Sequence, residues 1–156
     1  VIRKAAHSFW KVATMIDVIT TANSAKVLAA IKKAQPTARV SERALGRAAT
    51  GHILDMLRRV DKGVGLGGRF KPYHPLYAEY RAEKGRSTSA VNLQFTGEMF
   101  ADVSLKKTTS TEAVIGFSKE IERRKAASNQ KNRPWFGVTD QEQKRIVSRF
   151  KREFFK

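Results

Sequence analysis

The amino-acid sequence predicts an α+β fold: several helices packed on a small antiparallel sheet that contains a β-hairpin, with a long N-terminal helical region and a C-terminal amphipathic helix. Three observations predict it. Apolar residues recur at helical spacing from about Lys4 to Asp61 and again from Glu142 to the C-terminus. Between those regions the spacing falls to two, at Val91, Leu93 and Phe95, at Val103 and Leu105, and at Ala113, Ile115 and Phe117. The stretch VNLQFTGEMFADVS, Val91 to Ser104, changes from strand to turn to helical turn and back to strand, with Thr96 and Gly97 as its punctuation.

The chain has 156 residues, enough for one domain with a modest core, and reads as a helical arm over 1–36 followed by an α+β unit over 37–156. Thirty-one Lys and Arg face 14 Asp and Glu, for a formal charge of +17. A compact monomer with that charge repels itself, so an acidic partner is expected: nucleic acid, anionic lipid or an acidic protein surface. With no cysteine, disulfides, thiolate zinc sites and cysteine nucleophiles are excluded. No apolar run reaches the ~18 residues that span a membrane. The chain starts at Val1, and no targeting signal is read there.

In the arm, Phe9, Val12, Ile16 and Ile19 share a face with Trp10 beside them, and Val27, Leu28 and Ile31 mark a second amphipathic piece. Core packing, docking into a partner's groove and a membrane-surface role are the readings for this segment. Gln35, Pro36 and Thr37 interrupt the pattern. Ser41 is the expected N-cap of a helix to Asp61, with Leu45, Ala49, Ile53, Met56, Leu57 and Val60 inward and Arg43, Arg47, Arg58 and Arg59 on the remaining arc. That arc is either a solvated face or a contact surface.

Lys62 to Gly68 spells G-x-G-x-x-G, but a helix precedes it where a phosphate loop needs a strand, so it reads as a flexible connector. Pro75 starts and Gly85 ends the next helix, which sets Tyr73, Tyr77 and Tyr80 along one face. Interleaved with Arg69, Lys71, Arg81, Lys84 and Arg86, these rings form the most nucleic-acid-like constellation in the chain; the alternative is core packing with hydroxyls at the rim.

Val103–Thr108 and Glu112–Phe117 predict a hairpin, Ser118 an N-cap for a helix to about Asn129, and Lys131 to Arg133 a basic turn. In RPWFGV, Trp135 and Phe136 between Pro134 and Gly137 form a rigid aromatic plug that needs a pocket, in its own fold or in a neighbour. Thr139 and Glu142 make a capping box for the last helix, with Ile146, Val147, Phe150 and Phe154 on one side and Lys144, Arg145, Arg149, Lys151 and Arg152 on the other.

His7, His52 and His74 are isolated, no metal-ligand spacing surrounds them, and neither a nucleophile elbow nor an acidic pair accompanies them. No catalytic, metal or cofactor-binding residue is expected, and the chain reads as a non-enzyme.

Three segments in order carry a resemblance: Gly68 to Tyr77 (G-x-F-K-P-Y-x-x-x-Y), NLQFTGEMFADVS from Asn92, and Asn129 to Val138 (N-Q-x-x-R-P-W-F-G-V). Over about Asp61 to Ile146 the chain resembles the tail-completion and neck proteins of tailed bacteriophages, the phage virion morphogenesis family. Asn92, Leu93, Thr96, Gly97 and Met99 match the family's N-L-x-x-T-G-x-M element, and Arg133, Pro134, Phe136 and Gly137 its R-P-x-x-G element. Asn129 and Lys131 stand where the family often has His and Gly, so the local turn departs from the pattern.

The resemblance implies a structural virion protein of the head-to-tail interface, assembled in the bacterial host cytoplasm. It further implies a homo-oligomeric ring of six or twelve copies between connector or adaptor proteins and the tail terminator or tail tube, completing the DNA channel. On that reading Trp135, Phe136, Phe150 and Phe154 join the two motif elements as subunit contacts. Arg69, Lys71, Arg81, Lys84, Arg86, Arg149 and Arg152 would meet acidic partners or packaged DNA. The alternative is a basic nucleic-acid-binding protein using the aromatic and cationic face.

Overall fold

Helix α1 (Ala38–Asp61) organises the domain in the computed structural model, which describes residues 38–155. The 1–36 arm, with Phe9 and Trp10, lies outside the described residues. Ala44, Leu45, Ala48, Ala49, Ile53, Met56 and Val60 are buried along one face of α1, at the three- and four-residue spacing of a core stripe. Leu57 packs on this stripe while half-buried. Ser41 is not the N-cap: the helix runs back through Ala38, and Ser41 is buried within it.

The glycine-rich segment after α1 is no loose connector. Strand β1 (Val64–Gly65) pairs antiparallel with β2 (Gly68–Arg69) around Leu66 and Gly67. Gly63 and Gly68 take φ of 75° and 116°. A Cβ on Gly65 would lie 2.5 Å from both the Phe70 ring and the Pro134 carbonyl oxygen, so only glycine fits there. The Leu66 N–H donates to that same carbonyl at 2.8 Å, tying the hairpin to the RPWFG segment.

Helix α2 (Pro75–Glu83) starts at its proline, and Gly85 follows with φ of 64°, as the sequence predicts. His74 holds the N-cap position without a side-chain capping bond. Val91 to Phe95 is not a strand. Its backbone is held by side chains instead: Asn92 Oδ1 accepts the Gln94 N–H at 3.2 Å, and Arg81 donates to the Gln94 carbonyl at 2.8 Å. Leu93 sits in the left-handed region at φ 56°, which ends the alternation.

The short α3 (Glu98–Ala101) has Gly97 as its N-cap at φ 86°, and Thr96 accepts the Glu98 N–H from one position earlier, at 3.5 Å. Strands β3 (Val103–Thr108) and β4 (Ala113–Phe117) form the predicted hairpin, Val103 opposite Phe117 and Leu105 opposite Ile115, with a bulge between Leu105 and Lys107. Thr109 Oγ1 accepts the N–H groups of Thr111 and Glu112 and closes the turn.

Helix α4 (Glu120–Asn132) is capped at Lys119, not Ser118; Asp102 Oδ2 accepts the N–H groups of Ser118 at 2.8 Å and Lys119 at 2.9 Å. Helix α5 (Asp140–Phe154) begins with the full Thr139–Glu142 capping box. Its Ile146, Phe150 and Phe154 are buried, and the α1–α5 pairing is the most extensive in the domain, followed by the β3–β4 ladder and the packing of α1 on β3. The described residues thus form an α+β fold of five helices and two two-stranded antiparallel sheets.

Candidate functional site

Four parts of the chain converge on one cavity of about 520 Å³: the Tyr73–Arg81 segment, the Leu93–Phe100 segment, one face of α4, and Arg133. The segments that carry the resemblance are tied together around it. Arg133 donates to the carbonyls of Lys71 and Pro72 at 3.5 and 3.4 Å, and Asn129 Nδ2 approaches Met99 Sδ at 3.8 Å.

Arg81 forms the deepest polar part of the wall. It is 2% exposed and donates to the carbonyls of Ser87 and Gln94 and, at 3.5 Å, to Asn92 Oδ1. Its guanidinium lies 4.6 Å from the Tyr73 ring centroid and 5.8 Å from that of Phe95, within cation–π range. The Arg133 guanidinium is 5.6 Å from the same Tyr73 ring. Across the cavity Glu122, also 2% exposed, accepts from Lys125 Nζ at 2.8 Å through Oε1. That bond holds the Lys125 ammonium above its usual range. Three buried polar atoms of residues lining the cavity lack partners: the Tyr73 hydroxyl, Arg133 Nε and Glu122 Oε2.

Compared with known protein families, curated proteins and solved structures, the chain matches none. Its own geometry therefore carries the reading of the site.

Tyr77 at the cavity lining and Tyr80 outside it are 41% and 44% exposed, so the three tyrosines are not a core stripe. Tyr80 stacks on Phe95 at 5.8 Å, and Tyr77 on Tyr80 at 6.3 Å. Lys84 Nζ lies 5.7 Å from the Tyr80 centroid and the Arg86 guanidinium 5.8 Å from that of Phe95. The rings carry their own cations.

Several expected contact residues are corrected by burial. Trp135 is 0% exposed, packed 5.2 Å from both Phe100 and Phe136, so the plug fills a pocket in its own fold. Phe136, Phe150, Phe154 and Met99 are buried in the same core, and of these only Met99 reaches the cavity lining. Arg81 is enclosed rather than offered to phosphate. Arg149 is committed to Asp55, donating at 2.7 and 3.1 Å. Arg69, Lys71, Lys84, Arg86, Arg152 and Pro134 are exposed, Thr96 is exposed at the cavity rim, and Asn92, Leu93, Gly97 and Arg133 are partly exposed.

A second charged cluster lies between α1 and α5. Arg59, placed by sequence on an outward arc, donates to buried Glu142 at 2.8 Å and to the carbonyls of Val64 and Trp135. Burial would raise the Glu142 carboxyl, but hydrogen bonds from Arg59 and the Thr139 N–H, and the Arg59 charge, hold it below its ordinary value. Asp55 follows the same balance, with Arg149 and Arg145 outweighing burial. His52, buried with Nδ1 unpartnered, is held low chiefly by burial.

This cluster ties the two helices together, so we read it as structural. Among the described residues no group of three or more His, Cys, Asp or Glu could hold a metal ion, and no helix is long and apolar enough to cross a membrane. Glu122 was missed by sequence reasoning because Glu122 and Lys125, three apart on a helix, look like an ordinary surface pair.

Proposed function

We propose that this chain is a structural subunit of the head-to-tail interface of a tailed bacteriophage, a neck or tail-completion protein. It forms a ring of six or twelve copies that joins the capsid connector to the tail and completes the DNA channel. One observation carries the reading: the three sequence segments of the resemblance meet around a single cavity, with Arg133 bonded to Lys71 and Pro72, 62 and 61 positions away, and Asn129 approaching Met99. That they meet in space supports reading them together.

The ring contacts belong to the exposed parts of that motif, Thr96, Gly97, Arg133 and Pro134, and to the cations around them. A charge of +17 favours docking on acidic rings and tolerates DNA passing through the channel. Particles assembled without the protein should accumulate as separate heads and tails, and imaging of complete virions should locate it at the joint. Normal infectious virions lacking it would overturn the reading.

A nucleic-acid-binding role has one observation in its favour, the exposed Tyr77 and Tyr80 beside Lys84 and Arg86. Base stacking there would have to displace cations already lying over the rings. A salt titration on short duplex DNA, run beside sedimentation of the protein alone, separates the two. Phosphate-driven binding gives a steep fall of log K with log salt, and ring assembly gives a mass that rises with protein concentration.

A further inference from the structure

We infer that the cavity between α2, α3 and α4 binds an acidic side chain, Asp or Glu, presented on an extended segment of a partner protein. The inference stands on the cavity alone and holds whether or not the chain belongs to a virion.

Two guanidinium groups approach the Tyr73 ring, Arg81 at 4.6 Å and Arg133 at 5.6 Å, and among the described residues neither pairs with a carboxylate. Cations withdrawn from water are ordinarily paired, because the desolvation cost otherwise goes uncompensated. Arg81 is enclosed by carbonyls and ring faces, which solvate its charge without neutralising it. Arg133 makes only two long bonds, at 3.4 and 3.5 Å, and leaves its buried Nε–H unmet. The Tyr73 hydroxyl is buried and unmet in the same cavity. A guanidinium and a hydroxyl donor beside uncompensated positive charge match one carboxylate.

Glu122 completes the description of the occupant. Its Oε1 is neutralised by Lys125, while Oε2 is a buried acceptor with no donor. A peptide main chain supplies such a donor in its N–H. An acidic residue on an extended segment therefore meets all three demands, carboxylate to Arg133 and Tyr73 and main-chain N–H to Glu122. Arg81, Arg133 and Lys125 against Glu122 and Glu98, the latter 3.7 Å from Lys125, leave the cavity positive, so an anion is favoured over a cation. A nucleic-acid backbone fits less well. Phosphodiesters are tracked by rows of exposed cations, and here Arg81 is buried and Arg133 recessed.

The test uses the full chain with ¹⁵N-labelled arginine, at about 150 mM salt to screen surface charge. The probes are a blocked Gly/Ser hexapeptide with two glutamates, the same peptide with two glutamines, and an oligothymidylate of similar length. The glutamate peptide should shift the Arg133 Nε–H resonance saturably, and the glutamine peptide should bind about tenfold more weakly or less, the loss of one charge-assisted contact. Tyr73→Phe, which keeps the ring and removes only an unpartnered hydroxyl, should weaken the glutamate peptide about tenfold with the thermal midpoint unchanged or raised. Lys144→Gln on exposed α5 should change nothing. Equal binding of the two peptides overturns the proposal. So does an affinity lost in Lys144→Gln but kept in Tyr73→Phe and Arg133→Gln, and so does displacement of the peptide by equimolar oligothymidylate. Should Arg133→Gln fail to fold, Tyr73→Phe decides.

Discussion

Arg59 of the first helix donates its Nε–H to Oε1 of Glu142 in the last helix at 2.8 Å, and Glu142 is wholly buried. The same carboxylate accepts the Thr139 N–H at 2.9 Å through Oε2, so one side chain both caps α5 and anchors it to α1. The carboxylate is therefore neutralised and fully hydrogen-bonded, which is what permits its burial.

Removing one member of that pair strands the other. Arg59→Ala should destabilise the domain by about 3–5 kcal/mol, because it leaves a buried carboxylate unpaired. Glu142→Ala should cost a similar amount plus about 1 kcal/mol for the lost cap. Urea unfolding of both variants and of the double variant checks this. The double variant should be much less destabilised than the sum of the two.

Stability should fall in two stages on acidification. His52 is buried with its pKa depressed, so the unfolded chain binds the proton more readily. The contribution is fully present above about pH 6.5 and is lost as pH falls through the lower folded value. Asp55 and Glu142 are depressed carboxyls, so theirs is present above about pH 4 and is lost as pH falls through their folded values. Urea midpoints from pH 8 to pH 3 should show both stages. In His52→Gln the upper stage should vanish and the lower one remain; an upper stage that persists would assign it elsewhere.

Gly51 should be coupled to Arg149. A Cβ at Gly51 would lie 2.9 Å from Arg149 Cδ and 3.0 Å from its Nε, on the side chain that bridges to Asp55. Alanine at a helix interior ordinarily gains about 1 kcal/mol over glycine. Gly51→Ala should forfeit that gain in the wild-type background and recover it in Arg149→Ala. A double-mutant cycle should report a coupling of at least ~1 kcal/mol; strict additivity would refute the close approach.

Trp135→Ala should damage the fold rather than an assembly. The ring is fully enclosed beside Phe100, Phe117 and Phe136, so its truncation should cost about 3–5 kcal/mol. Loss of the cooperative transition, or a lowered urea midpoint in sedimentation-matched samples, is the expected outcome. A variant as stable as the parent would restore the view of Trp135 as a surface plug.

Local chemistry was legible in the sequence. The capping box, the Pro75 and Gly85 boundaries, the β3–β4 hairpin and the core stripe of α1 each rest on residues a few positions apart, and the α+β class follows from them. What escaped depends on partners far along the chain. Arg59 looks like a solvent-facing arginine until Glu142, 83 residues on, is folded against it. Val91 to Phe95 has the alternation of a strand, but side chains of Arg81 and Asn92 take up the backbone groups of Gln94, and among the described residues no strand pairs with it. Arg81 itself has the spacing of a surface cation and lies buried. The cavity is foreshadowed only as three separate motifs, because their meeting around it depends on contacts between distant parts of the chain.

The pairing of α1 with α5 also has a consequence in time. Phe150 and Phe154 supply the far half of the core's longest seam, and Pro134 holds the first hairpin in place. A ribosome that has made only the leading two thirds of the domain therefore displays a bare apolar ridge along its opening helix, with Arg59 awaiting a counter-ion not yet synthesised. Closure therefore waits for α5, and a nascent chain truncated before Ile146 should be bound by chaperones rather than fold.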